Sequence, residues 1–123
     1  MAIKKRTEPP ADLFVQAGDT IFLTIDIGNA QIGGSILKFE DEPTVFEKGK
    51  IKNLETGRAD DLIGRTLKIT SNVLDSNSST NKIAITHRFK KAVPDAFQYF
   101  DTVNNDGDIL SLSTRYNFKN QIL

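Results

Sequence analysis

The residues of this 123-residue chain that could do chemistry are few and scattered. His87 is the only histidine, and it could act as a base or a metal ligand if a second histidine, a cysteine or an acid completed the site. Cysteine is absent, which excludes thiolate nucleophiles, disulfides and every cysteine-containing zinc site. Ser78, Ser79 and Thr80 offer hydroxyls, but they lie in a run of small polar residues with no base held within hydrogen-bond reach. Asp60-Asp61 and Glu40-Asp41-Glu42 could supply the paired carboxylates of a glycosidase, whose mechanism depends on a separation that sequence does not set. Such charge runs usually solvate a surface. No catalytic residue, metal ligand or cofactor is therefore assigned.

Two turns carry near-motifs. Gly28 to Ser35 has the spacing of a phosphate-binding P-loop, yet Gly34 stands where the lysine must be, and Ile36-Leu37-Lys38-Phe39 continues as a strand instead of opening a helix. The segment Ile21 to Leu37 resembles the first phosphate motif of the actin-like and sugar-kinase ATPase superfamily at Asp26, Gly28 and Asn29. The chain lacks that superfamily's second phosphate motif, adenosine motif and helices, so its ATPase activity is not carried over. Asp101 to Asp108 clusters oxygen ligands around Gly107, but placing Gly107 sixth in an EF-hand loop puts Thr102 at the first ligand position and Ser113 where the bidentate glutamate belongs. An EF-hand is excluded, and an Asp-Gly turn is the simpler reading.

The elements that must position these residues are strands. Lys82 to Phe89 alternates cleanly, with Ile83, Ile85, His87 and Phe89 on one face. The same period runs through 19–27, 35–40, 44–52 (with Gly49 as a bulge or turn), 65–74 and 108–118, where Thr114 interrupts the apolar series and is expected nearer the rim. In 94–103, Phe97, Tyr99, Asp101 and Val103 alternate ahead of the turn Asn104-Asn105-Asp106-Gly107, which favours a strand and a hairpin. Residues 53–64 read as a loop with one helical turn after Asp60-Asp61.

About seven short strands without an amphipathic helix imply an all-β chain, expected as an antiparallel β-sandwich of immunoglobulin-like or jelly-roll-like character. The domain is expected over 19–123. Residues 1–18 are expected to form a flexible arm, because Lys4-Lys5-Arg6 and Pro9-Pro10 read as a tail without the apolar core of a signal peptide. No stretch is apolar enough to span a bilayer, and the cytoplasm is the default localisation. Sixteen basic residues balance sixteen acidic ones, so no net field draws the chain to nucleic acid, and an electrostatic partner must be met by a local patch.

The functional expectation is a non-catalytic structural or protein-interaction module, a subunit of a larger assembly that docks on copies of itself or another protein. A sheet edge, a loop or the arm would make the contact, with Leu13, Phe14 and Val15 as the apolar candidates on the arm. The alternative is a lectin-like or calcium-dependent ligand-binding module. Loops 28–34, 75–81 and 101–108 would then gather at one end and present Asn29, Gln31, Asn77, Asn104, Asp106 and Asp108. A small hydrolase built on His87 ranks third.

Overall fold

The computed structural model describes residues 1–121. Eleven strands form in chain order: β1 (Ile3–Thr7), β2 (Ala11–Val15), β3 (Thr20–Ile27), β4 (Ile32–Phe39), β5 (Glu47–Gly49), β6 (Leu54–Arg58), β7 (Thr66–Leu74), β8 (Lys82–Lys90), β9 (Ala92–Val93), β10 (Ala96–Thr102) and β11 (Ile109–Asn120). One helical turn, α1 (Ala59–Leu62), follows β6. They make two mostly antiparallel sheets. The larger runs β5-β4-β7-β11-β2-β9, with β1 also on β11; the smaller runs β10-β8-β3-β6.

The inner faces of the two sheets share their core. Leu13, Val15, Leu37, Leu67, Ile69, Tyr116 and Phe118 of the larger sheet cluster with Ile21, Leu23 and Phe89 of the smaller. A second cluster joins Val73, Leu110 and Leu112 to Ile83, Ile85 and Val103. Each residue is placed by strand alternation, which sends every second side chain inward. Gly33 has no room for a side chain: a Cβ there would lie 2.6 Å from Ile27 Cδ1 of the facing sheet and 2.6 Å from the Asn72 carbonyl oxygen of the adjacent strand β7.

The strands expected over 65–74, 82–89, 94–103 and 108–118 are present as β7, β8, β10 and β11. The stretch 53–64, expected as a loop with one helical turn, has its turn at α1, but its first half is strand β6, paired with β3 in the smaller sheet. Other expectations change. The stretch 44–52 holds only the three-residue β5, after which the chain crosses to the smaller sheet, where Ile25 N donates to Ile51 O at 2.9 Å. Thr114 is not at the rim: it is buried, and its hydroxyl donates to Ile69 O at 3.3 Å, which spares the core an unpaired donor. The turn between β10 and β11 makes no hairpin, because those strands belong to different sheets.

The largest correction concerns residues 1–18. β1 and β2 are one interrupted strand running parallel to β11, with Ile3 opposite Ile109 and Leu13 opposite Phe118. From Thr7 to Ala11 the chain advances four residues while β11 advances three, Ser113 to Tyr116. The extra residue falls at Glu8-Pro9-Pro10, where two prolines lacking N–H donors fit an interruption of the ladder. Leu13 and Val15 are completely buried, and Lys4 and Arg6 reach across to β10, so this segment is part of the fold.

Candidate functional site

Loops 28–34, 75–81 and 101–108 do gather at one end. The organising residue is Gln31, which the strand pattern placed among solvent-facing loop residues but which is buried. Its Nε2 donates to Asp75 Oδ1 at 2.8 Å and to the carbonyls of Thr80 and Lys82 at 3.2 Å, while its Oε1 accepts from the backbone N–H of Ser76 (2.8 Å) and Asn77 (2.9 Å). One side chain thus pins the β7–β8 loop to the start of β4.

Asp108 closes the third loop. Its carboxylate accepts from Ala2 N at 2.9 Å and Asn105 N at 3.1 Å, and these backbone donors, led by Ala2, hold its pKa below the usual carboxylate range. Asp75 N donates to Asp108 O and Gly107 N to Asp75 O, each at 2.9 Å. With its amide nitrogen turned toward acceptors, Asn81 donates to Asp75 Oδ2 (2.7 Å) and Asp106 Oδ1 (2.8 Å).

Of the six candidate ligand residues, Gln31 and Asp108 are therefore spent on tying loops together. Asn29 and Asn77 tie to each other, Asn77 Nδ2 donating to Asn29 O at 2.9 Å. Asn104 and Asp106 stay exposed. The cluster is a polar knot in which N–H groups already occupy the carboxylate oxygens of Asp75 and Asp108. Among the described residues no three His, Asp or Glu side chains converge as a metal site requires.

His87 is wholly buried in β8. Its Nδ1 lies 2.6 Å from Tyr116 Oη, whose oxygen lies 2.9 Å from Tyr99 Oη, so a three-member chain runs from the core toward the half-buried Tyr99. Burial lowers the His87 pKa to about 3 and raises those of both tyrosines, so all three are neutral near pH 7. Among the described residues no serine or threonine hydroxyl and no carboxylate bonds to His87, and its Nε2 has no partner. Phe89 and Phe97 pack on the Tyr116 ring with centroids 4.9 Å away, sealing the imidazole in an aromatic box.

No family model matches this chain, and neither a curated protein nor a solved structure matches it. The surface itself must then point to function.

A groove of about 380 Å³ opens between β3 and β4, floored by Ile25, Ile27 and Ile51 with Lys50 and Lys52 at its mouth. Its buried polar side chains, Gln31 and Ser35, are already bonded, Ser35 Oγ lying 2.7 Å from Ser71 Oγ. Among the described residues no helix is long and apolar enough to cross a membrane.

The outer face of the larger sheet is different. Ile32 on β4 pairs with Leu74 on β7, Leu74 with Ile109 on β11, and Ile109 with Ile3 on β1, so four aliphatic side chains stand in one row across four strands. Ile32 is 62%, Ile3 56% and Leu74 37% exposed. The next row, Gly34, Asn72, Ser111 and Lys5, is polar, and small on its first three strands except for the Asn72 amide. Sequence reading missed this face because the row joins residues up to 106 positions apart, and only register reveals it. Of the arm candidates Leu13, Phe14 and Val15, only Phe14 points outward on this sheet; the other two are core.

Proposed function

We propose that this protein is a non-catalytic protein-interaction module, a β-sandwich that docks into a larger assembly through the outer face of its seven-stranded sheet. The observation that carries the reading is the outward row Ile32, Leu74, Ile109 and Ile3, in which Ile109 is half-buried and the other three are exposed. Scattered exposed aliphatics are ordinary, but a contiguous apolar strip bordered by a polar strip matches the core and rim of an interface. The chemistry-bearing side chains support the same reading from the other direction. His87 is sealed in the core, and the loop amides and carboxylates are bonded to one another.

A photocrosslinking amino acid at Ser111, in the middle of the face, tests this in the cells of origin, with the same group at Gln98 on the outer face of β10 as control. A discrete adduct from position 111 and none from 98 is expected. Equal labelling from both positions, or none from 111, would remove the face from the argument.

A further inference from the structure

The cations of this neutral chain are not evenly spread. The outer face of the larger sheet holds Lys5 on β1, Lys38 on β4, Lys48 on β5, Lys68 on β7, and Arg115 and Lys119 on β11, each assigned to that face by its cross-strand partner. Against these six cations the same face carries two acids among the described residues. They are Asp12, opposite Asn117, and Glu40, whose N–H bonds Thr66 O. The surplus is four positive charges on one face of a protein whose formal charge is zero. Only Arg115 has an ion-pair partner among the described residues, Glu40 at 3.8 Å.

Three of these cations stand side by side. Lys38 is directly opposite Lys68, and Lys68 directly opposite Arg115. Opposed residues on adjacent strands place their Cβ atoms about 5 Å apart, and like charges so placed repel. Apart from the Arg115–Glu40 pair at 3.8 Å, nothing among the described ion pairs offsets that repulsion. From the row Lys38–Lys68–Arg115, two positions along each strand reach Ile36, Thr70 and Ser113, and two more reach Gly34, Asn72 and Ser111, which border the aliphatic row.

We infer that the face receives an acidic protein surface, whose carboxylates meet Lys38, Lys68 and Arg115 while its apolar residues cover Ile32, Leu74, Ile109 and Ile3. This rests on the interaction reading above and adds the chemistry of the partner. Charge complementarity selects the occupant. A second copy packed through the same face would set one basic row against another, or a basic row against an aliphatic one. Single-stranded nucleic acid needs a series of aromatic platforms, whereas the rows between the aliphatic and basic strips hold none and Phe14 stands apart from them on β2, opposite Lys119. A bilayer would take up protruding apolar loops, whereas these aliphatics lie flat on a sheet.

The test uses the full chain and a synthetic acidic peptide alternating glutamate with valine, its lysine-for-glutamate counterpart, a single-stranded DNA oligonucleotide and phosphatidylserine vesicles. Wild type should bind the acidic peptide, with affinity falling as salt rises. Lys68→Glu should weaken binding by about tenfold or more. The same substitution places an acid between Lys38 and Arg115, so it should leave the melting temperature equal or higher, which separates lost binding from lost folding. No binding of the acidic peptide, equal binding by Lys68→Glu, or tighter binding of DNA or vesicles would each overturn the inference. A discrete adduct from position 111 alongside any of these results would show that the interaction reading stands and the acidic partner does not.

Discussion

Tyr116 Oη and His87 Nδ1, from facing sheets and both buried, lie 2.6 Å apart and form the polar contact that joins the two sheets at the centre of the core. Among the described residues Nε2 of His87 has no partner, and Tyr116 supplies the imidazole's hydrogen bond. Tyr116→Phe keeps the ring packed on Phe89 and Phe97 but leaves a second buried nitrogen unpaired. Losing a partner from a buried polar group costs about 1–3 kcal/mol. Urea unfolding should show that loss for Tyr116→Phe and a smaller one for Tyr99→Phe, whose hydroxyl is half-buried and nearer solvent; equal losses would mean that the network is not centred on Tyr116.

The same burial makes the fold acid-sensitive in a defined window. His87 titrates at about 3 when folded and near its ordinary value of 6.5 when unfolded. Between those values the unfolded chain binds the extra proton, so stability falls as pH drops, by up to about 1.4 kcal/mol per pH unit. The contribution is fully present above about pH 6.5. Asp101, whose pKa is lowered as Lys4 and the Thr102 N–H offset its burial, and Asp108, lowered by backbone donors, both shift away from the window in which His87 acts. His87→Phe should flatten the stability profile between pH 7 and 5; an unchanged slope would assign the sensitivity elsewhere.

Much of the architecture was legible because alternation is a local property. Ile83, Ile85, His87 and Phe89 faced inward as their spacing required, and so did Leu67, Ile69 and Val73. What sequence concealed depends on pairing between distant strands. Ser71, a polar residue on an inward position, is matched by Ser35 opposite it at 2.7 Å, and Gln31 looked like a loop residue until Asp75 and the backbone of Ser76 and Asn77 converged on it. The basic row is invisible for the same reason, since Lys38, Lys68 and Arg115 become neighbours only through register.

The turn between β3 and β4 stores local strain. Asn29 and Ala30 have φ angles of 58° and 55°, in the left-handed region. Asparagine tolerates that region, whereas alanine there is disfavoured by about 1 kcal/mol or more. Ala30→Gly relieves the clash but enlarges the freedom of the unfolded chain, leaving a net gain of about 0.5 kcal/mol. A higher denaturant midpoint at unchanged slope is the expected result, and a lower midpoint would place Ala30 outside the strained conformation.

Polar residues at the gathered loops should behave as structure. Gln31→Leu preserves bulk but removes two acceptor and three donor contacts to Asp75, Thr80, Lys82, Ser76 and Asn77, leaving Oδ1 of the buried Asp75 without its donor. A loss of about 2 kcal/mol or more follows from the unpaired groups. Hydrogen exchange should rise at the amides of Ser76 and Asn77 ahead of those in β7 and β8. If both the stability and those amides were unaffected, the loops would be held by something other than Gln31.

The N-terminal segment gives the sharpest contrast between a tail and a strand. A flexible arm could be removed without harm to the domain, but β1 and β2 cover β11 along its length, and Leu13 and Val15 have no exposed surface. Truncating a fully buried leucine to alanine costs about 2–5 kcal/mol. Leu13→Ala should fall in that range by urea unfolding, and Phe14→Ala, whose ring faces outward beside Lys119, well below it. Deletion of residues 1–15 should remove both strands and the Lys4 and Arg6 contacts to β10, leaving a chain without the cooperative transition of the full protein. A deleted chain that still melted cooperatively, near the wild-type temperature, would restore the arm reading and separate these residues from the core.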